Sequence, residues 1–288
     1  MTTPWRSFWW LLRRSFRLAY EDGCFGTAKG AAYSALLCFF PLLTATATLL
    51  VQARAESISG VLYRALSRVV PPGTEDLVLE NFRVRGARPA ALLVVATLVS
   101  LWAASRVMTS LMEGFQAAYH IPKGRPFLRH QGMAILLVLA TAVPVAAASA
   151  LVLFGNRTEQ AVMRSLGVIP AGQEIETWVK LVASAARYLV AIAAYVAVTA
   201  TLYRLGPNRV QRWRLLWPGA FVSTVLWLIS TMGFAWYVRN IAGYNLLYGS
   251  IGAAIALLVW MYVMAAVILI GCEFNAEYER LKGTGTRG

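Results

Sequence analysis

The chain has 288 residues, of which 58% are hydrophobic and 14% charged, and its mean hydropathy is +0.58. A soluble domain carries roughly 25% charged residues, so this composition excludes an ordinary water-soluble globule. The net charge is +14. The Lys and Arg residues lie between long apolar runs, as they do at the ends of membrane spans. They do not form the single basic stripe that is typical of nucleic-acid-binding proteins.

The first predicted element is a helix over residues 4–20. Its large apolar side chains recur at helical spacing and share one face: Trp5, Phe8, Trp9, Leu12 and Phe16. Arginines occupy the other side, and Thr3-Pro4 provides an N-cap followed by proline at the first helical position. We expect an amphipathic interfacial helix that lies on the membrane. An amphipathic helix packed on protein is the alternative.

Six apolar stretches then follow, each long enough to cross a bilayer, which requires about 20 residues. The predicted spans are about 30–53, 89–112, 131–156, 178–203, 215–238 and 248–274. They are apolar nearly all round, as lipid-facing helices are. The predicted fold is therefore an all-α transmembrane bundle of six helices, forming a single integral membrane domain over 1–288.

The segment 54–88 is predicted to be an outer loop with short helices at 58–70 and 75–82, separated by Pro71-Pro72-Gly73. Basic residues set the orientation of the bundle. With the N-terminus inside, inner segments hold 16 Lys and Arg and outer segments 10, six of them in this one long loop. The sequence thus predicts a multi-pass protein of the bacterial cytoplasmic (inner) membrane with both termini in the cytoplasm.

Four segments carry a family resemblance. They are Ala31–Ser34 leading to Phe39–Leu43, Leu101–Arg106, Tyr244–Gly252 and Gly271–Glu277. Together they resemble the YihY/BrkB family of bacterial inner-membrane proteins, formerly labelled ribonuclease BN. Cys272 stands before Glu273 where the commoner form of the motif has Gly-Ala-Glu. The resemblance implies six membrane helices and roles in envelope lipid or lipopolysaccharide handling and in serum resistance.

Arg187 is the sharpest candidate for a functional residue, because it stands well inside the fourth predicted span. An arginine near mid-bilayer costs several kcal/mol unless it faces a cavity or a partner. The functional interpretation is a site for a phosphate or carboxylate headgroup. The alternative is a structural arginine that is satisfied by helix carbonyls or snorkels outward.

A second candidate site is a network of charges near the inner ends of the second and sixth spans. Arg106 and Glu113 are seven residues apart, and Glu273 and Glu277 are four apart, so each pair shares a helix face; Asn275 lies between the two glutamates. An arginine can offset the desolvation of a carboxylate. The network could serve as a gate or proton-coupling element, or as a packing lock.

The outer entrance of the sixth span contains Tyr244, Asn245 and Tyr248, which could bind substrate in a vestibule or anchor the helix at the interface. Gly249 and Gly252 each precede an alanine by four residues and favour close helix packing. Pro41 and Pro144 interrupt their helices and would be hinges in a moving protein or bends in a static one.

The function that these residues favour is a non-enzymatic transporter or flippase for an anionic lipid or another envelope amphiphile. A membrane scaffold that recruits partners is the alternative, and an RNA-processing nuclease is the third hypothesis. No cofactor is expected, because the three cysteines are irregularly spaced and His120 and His130 are too few for a histidine-based metal site. The expected partners are membrane lipids, an anionic lipid or lipopolysaccharide-type substrate and a second copy of the chain, with no nucleic acid.

Overall fold

The computed structural model describes residues 4–52, 90–122, 124–165, 177–209, 211–240 and 249–284. This part of the chain is all-helical. Its helices, numbered here in chain order, are α1 (Pro4–Glu21), α2 (Cys24–Gln52), α3 (Ala90–Ala118), α4 (Phe127–Ser165), α5 (Thr177–Leu205), α6 (Trp213–Asn240) and α7 (Gly249–Thr284). Six of them, α2 to α7, are long and apolar enough to cross a membrane. The predicted six-span helical fold with an additional N-terminal helix is confirmed.

The six long helices form a closed ring. Each helix from α2 to α6 packs along the next one in the chain, and α7 closes the ring by packing on both α6 and α2. The last helix also contacts α3 and α1. Because α7 has more neighbouring helices than any other helix, side chains along it are placed to join the remaining elements.

The helices extend beyond several of the predicted span limits. The second helix begins at Cys24 instead of residue 30, α3 continues to Ala118 instead of 112, and α7 continues to Thr284 instead of 274. Hydropathy locates the apolar part of a helix, whereas its ends depend on turn residues in the polar part. The predicted outer loop 54–88 and its two short helices lie outside the described residues.

The first helix packs through a stripe that differs from its predicted apolar face. Leu11, Ser15 and Ala19 are buried, whereas Phe8, Trp9 and Phe16 are exposed. Leu11, Ser15 and Ala19 are four residues apart and therefore share one helix face. The small side chains of Ser15 and Ala19 let α1 lie closely along α7. The exposed aromatic face is what a helix lying at a membrane surface presents to lipid.

The packed core lies toward the end of the bundle at which α1 meets the C-terminal part of α7. We call this end the α1 end. Fully buried large side chains gather there from four helices: Met112, Phe115, Tyr203, Leu216 and Leu269. In the opposite halves of α4, α5 and α6 the described side chains are largely exposed, including Val143, Leu189 and Met232. The α1 end is therefore the most densely packed part of the described bundle.

Proline occurs inside three of the long helices: Pro41 in α2, Pro144 in α4 and Pro218 in α6. The helices around Pro41 and Pro144 are continuous, so each proline is accommodated within its span. Beyond Pro41, the Thr44 hydroxyl donates to the Phe40 carbonyl at 3.0 Å, in the manner expected of helical threonines. Whether Pro41 and Pro144 act as hinges stays a prediction.

Candidate functional site

Two tight turns bring the ends of α1, α2 and α3 together. Gly23 has a φ of 70° and joins α1 to α2, and His120 has a φ of 49° directly after α3. The Ile121 amide donates to the Gln116 carbonyl at 2.9 Å and the His120 amide to Ala117 at 2.8 Å, which is the hydrogen-bond pattern of a Schellman helix end. As a result, His120 Nδ1 lies 3.8 Å from Asp22 Oδ2.

Glu273 is fully buried where α7 meets this turn. The Cys24 thiol donates to Glu273 Oε1 across 3.6 Å. Glu273 Oε2 and Asp22 Oδ2 are both buried, and neither has a hydrogen-bond donor among the described residues. Cys24, which binds Glu273, lies two residues after Asp22, and the Asp22 carboxyl acts on Glu273 as a neighbouring group. The two side chains therefore hold two buried acceptors without a donor among the described residues.

Glu277, one helical turn further along α7, is also buried, but cations compensate its charge. Arg14 Nε lies 2.6 Å from Glu277 Oε2, and Arg280 Nη1 lies 2.5 Å from Oε1. Arg280 also donates to the Ala118 carbonyl at the end of α3 at 3.2 Å. Charge-assisted hydrogen bonds of this kind are stronger than neutral ones, so Glu277 joins α1 to the bundle. We call Asp22, Glu273 and Glu277 the carboxylate cluster.

Asn275 faces a different helix from these glutamates. Its Oδ1 accepts from the Gly219 amide at 2.7 Å, and its Nδ2 donates to the Leu216 carbonyl at 2.9 Å. Both contacts lie beside Pro218, which has no amide hydrogen and disturbs the helix ladder around it. Asn275 was predicted to belong to a gating network; the structure places it as a buried clamp between α7 and α6.

The structure separates the other predicted members of that network from the glutamates of α7. Arg106 is exposed, and its guanidinium lies 5.7 Å from the centre of the Trp102 ring. Glu113 is exposed and lines a cleft of about 410 Å³ together with Asp22, Gln116 and His120. The salt bridges of α7 are made with arginines that the sequence did not indicate, namely Arg14 and Arg280 for Glu277 and Arg209 for Glu279.

Arg187 lies in the half of α5 remote from the α1 end and is partly buried. It belongs to a stripe of residues three or four apart: Ser184, Arg187, Ala191, Ala194, Val198 and Leu202. Val198 and Leu202 are buried in the bundle, whereas the residues next to Arg187 on the other faces, Tyr188, Leu189 and Val190, are exposed. Since residues with this spacing share a helix face, Arg187 is on the face of α5 that turns inward.

Arginines also stabilise the connection between α5 and α6 at the α1 end. Arg125 donates to the carbonyls of Leu205 and Gly206, both at 2.8 Å, and so caps α5. Burial lowers the pKa of the Arg125 guanidinium, although arginine stays charged in proteins. Arg209 lies 5.5 Å from the ring centre of Tyr119, and burial is the main cause that raises the pKa of the Tyr119 hydroxyl well above its usual range.

Several predicted site residues cannot be placed. Tyr244, Asn245 and Tyr248 lie outside the described residues, so a vestibule at the outer entrance stays a prediction. Gly249 is the first residue of α7, and Gly252 is buried near its start. Their predicted role in helix packing is not tested by these positions alone.

The sequence did not indicate that Asp22 belongs to the carboxylate cluster, or that Cys24 and Arg14 contact it. Asp22-Gly23 between two helical patterns is a recognisable turn signal, but it does not show that Asp22 meets a residue about 250 positions later. All three cysteines are free and buried. In the part of the chain that the structure describes, no three His, Cys, Asp or Glu side chains come together as metal ligands.

Sequence comparison finds relatives along most of the chain. It is 28% identical to a Bacillus subtilis (strain 168) protein named ribonuclease-like protein YfkH, over 89% of this chain and 91% of the relative. It is also 28% identical to a UPF0761 membrane protein of Chromobacterium violaceum, over 88% of this chain and 58% of the relative. A UPF0761 membrane protein of Alkalilimnicola ehrlichii is 26% identical over 92% of this chain and 59% of the relative.

The chain thus spans little more than half the length of these two UPF0761 relatives. No solved structure gives a significant match. The model of the family described as virulence factor BrkB matches residues 15–287, which is nearly the whole sequence. This match agrees with the motifs at Ala31–Leu43 and Gly271–Glu277. The chain is therefore a multi-pass membrane protein that belongs to the BrkB family.

Proposed function

We propose that this protein is a non-enzymatic transporter or flippase for an anionic lipid or a related envelope amphiphile. The observation that carries the proposal is the place of Arg187 on the inward face of α5. Arg187 lies near the beginning of the apolar span Ser184–Leu205, and an arginine inside a membrane span is usually functional. Ser184, Ala191 and Ala194 lie on the same face of the helix, so the side chains that neighbour Arg187 on that face are small.

The surface of α1 supports the proposal independently. Trp10, Arg13, Arg14 and Arg17 line a pocket of about 440 Å³ on this helix. At a membrane surface, arginine attracts anionic headgroups and tryptophan anchors the helix at the level of the headgroups. Such a surface would concentrate anionic lipid beside the bundle. The same exposed face could recruit a protein partner, which keeps the scaffold hypothesis as the second candidate.

For orientation, we propose that the α1 end faces the cytoplasm of a bacterial inner membrane. Basic residues gather at this end: Arg13, Arg14, Arg17, Arg125, Arg204, Arg209, Arg212, Arg214, Arg280 and Lys282. Lys and Arg are enriched in the cytoplasmic segments of membrane proteins. The termini-inside arrangement predicted from the sequence would then place Arg187 in the outer half of the bundle.

Replacing Arg187 by alanine is expected to slow lipid movement in vesicles that contain the purified protein. The probe is phosphatidylglycerol with a fluorescent acyl chain, and its transfer between leaflets is followed by chemical quenching from outside. A charge-assisted hydrogen bond contributes about 1.5–3 kcal/mol, so the rate should fall about tenfold or more.

Leu189→Ala is the matched control, because Leu189 lies on the exposed face of the same helix turn. This variant should keep the wild-type rate, and phosphatidylcholine should move more slowly than phosphatidylglycerol in wild-type vesicles. Equal lipid transfer by wild-type protein, Arg187→Ala and protein-free vesicles would defeat the proposal. Capture of a partner protein through α1 without any lipid movement would favour the scaffold.

A further inference from the structure

The buried oxygens of Asp22 and Glu273 outnumber the hydrogen-bond donors near them. Glu273 is fully buried, and its Oε1 already accepts from the Cys24 thiol. Its Oε2 and Asp22 Oδ2 are buried without a donor in the described part of the protein. A buried oxygen that lacks a hydrogen bond costs about 1–3 kcal/mol, and more when it is charged. One proton placed between the two oxygens satisfies both of them at once.

Electrostatics leads to the same conclusion. Two carboxylates that share a site cannot both stay ionised, because the second negative charge is strongly disfavoured. The neighbouring cation on α7, Arg280, binds Glu277 and the Ala118 carbonyl. The other groups that face the pair are the thiols of Cys24 and Cys272 and the imidazole of His120. None of these is a permanent positive charge.

The pair borders a surface cleft on the side of Asp22. Asp22 lines the cleft of about 410 Å³ that also contains Glu113, Gln116 and His120. The His120 side chain is 58% exposed, and its Nδ1 lies 3.8 Å from Asp22 Oδ2. Imidazole accepts and releases protons near neutral pH. The exposed His120 ring therefore lies beside Asp22 in this cleft, while Glu273 is fully buried.

We propose that Asp22 and Glu273 form a proton-binding site that holds one proton at neutral pH and exchanges it with the aqueous phase through His120. In loading, His120 Nε2 takes a proton from water, Nδ1 gives one to Asp22 Oδ2, and the carboxyl pair gains one positive charge. Release is the reverse. This site is remote from Arg187, so the inference goes beyond the proposed lipid transport and does not depend on it.

Proton loss has a mechanical consequence. Without the shared proton, repulsion acts between α7, which holds Glu273, and the turn at Gly23, which joins α1 to α2. The left-handed conformation of Gly23 is one that glycine adopts without strain. Proton binding would hold the α1–α2 joint on α7, and proton release would loosen it.

The test is infrared spectroscopy of the full-length protein in lipid nanodiscs, which detects the C=O stretch of a protonated carboxylic acid. Wild-type protein at pH 7 is expected to show this band at about one group per chain. Glu273→Gln and Asp22→Asn should each abolish it. Glu113→Gln should keep it, because Glu113 lines the same cleft but is exposed.

Three results would overturn the inference. They are the absence of a carboxylic acid band in wild-type protein at pH 7, a band that persists in Asp22→Asn or in Glu273→Gln, and a band that only Glu113→Gln removes. The wild-type spectrum decides the first point even if a variant fails to fold. His120→Ala should leave the equilibrium band in place and slow its response to a pH jump several-fold, which distinguishes the access route from the binding site.

Discussion

Gly219→Ala is expected to prevent stable folding. A Cβ atom at Gly219 would overlap the Gly271 carbonyl oxygen and the side-chain amide of Asn275. Gly271 is equally tight on the facing helix, where a Cβ would lie 2.7 Å from the Ser223 Cβ and 2.8 Å from the Gly219 carbonyl oxygen. The obstacle is backbone, which cannot rotate away, so the cost should reach or exceed about 3 kcal/mol, the upper range for overpacked cores.

The measurement is the thermal unfolding midpoint in detergent, followed by size-exclusion chromatography of heated samples. Gly233→Ala is the matched control on the same helix, because no atom lies within 4 Å of its added Cβ. Alanine also favours helix over glycine by about 1 kcal/mol, so the control should unfold at or above the wild-type temperature. Equal midpoints for the two variants would contradict the close α6–α7 crossing.

Asn275→Leu should be the second most damaging substitution. Leucine has a similar size but cannot bond the Gly219 amide or the Leu216 carbonyl, which the asparagine contacts at 2.7 and 2.9 Å. Each buried polar group left without a partner costs about 1–3 kcal/mol. We therefore expect a loss of about 2–4 kcal/mol in the free energy of unfolding, measured by denaturant titration in mixed micelles.

Asn208→Leu is the control for this second prediction, because Asn208 is exposed in the connection between α5 and α6. That substitution should change the free energy of unfolding by no more than about 0.5 kcal/mol, as is usual for surface positions. If Asn275→Leu is as stable as the control, Asn275 does not clamp α6.

Much of this fold could be predicted because the membrane limits what a chain can do. A hydrocarbon solvent requires every backbone amide to be satisfied within a helix, so long apolar runs specify their own structure. The N-terminal helix was predictable from the spacing of Trp5, Phe8 and Trp9. Its packing face was not, because two of the buried positions, Ser15 and Ala19, carry small side chains that hydrophobicity does not single out.

The contacts of the candidate sites, in contrast to the fold, could not be predicted from the sequence. The spacing of Glu273 and Glu277 correctly placed both carboxylates on one helix face, but their partners come from α1 and from the turn before α2. Arg106 seemed a suitable partner from its depth in the membrane, yet it lies exposed over Trp102. Sequence spacing determines which residues are neighbours within one helix. Contacts between helices also depend on how each helix is rotated about its own axis. Spans that are apolar on nearly all sides do not indicate that rotation.

Pro218-Gly219 is a signal that the sequence interpretation missed. Pro218 lies inside α6, beyond the first helical position that favours proline, and it removes a backbone hydrogen bond there. Only the structure shows that Asn275 binds the backbone on both sides of that proline, at Leu216 and Gly219. The motif at the end of α7 therefore combines two tasks, since Asn275 holds α6 while Glu273 and Glu277 face α1 and α2.

Water access to position 187 tests the central claim that Arg187 faces the inside of the bundle. In membrane vesicles, Arg187→Cys should react with a charged, membrane-impermeant maleimide, because a thiol must ionise to react. Leu189→Cys, roughly 160° away around the same helix, should stay unmodified in lipid, and the three native cysteines are buried. Reaction at 189 but not at 187 would show that Arg187 faces away from an aqueous interior and would contradict the account.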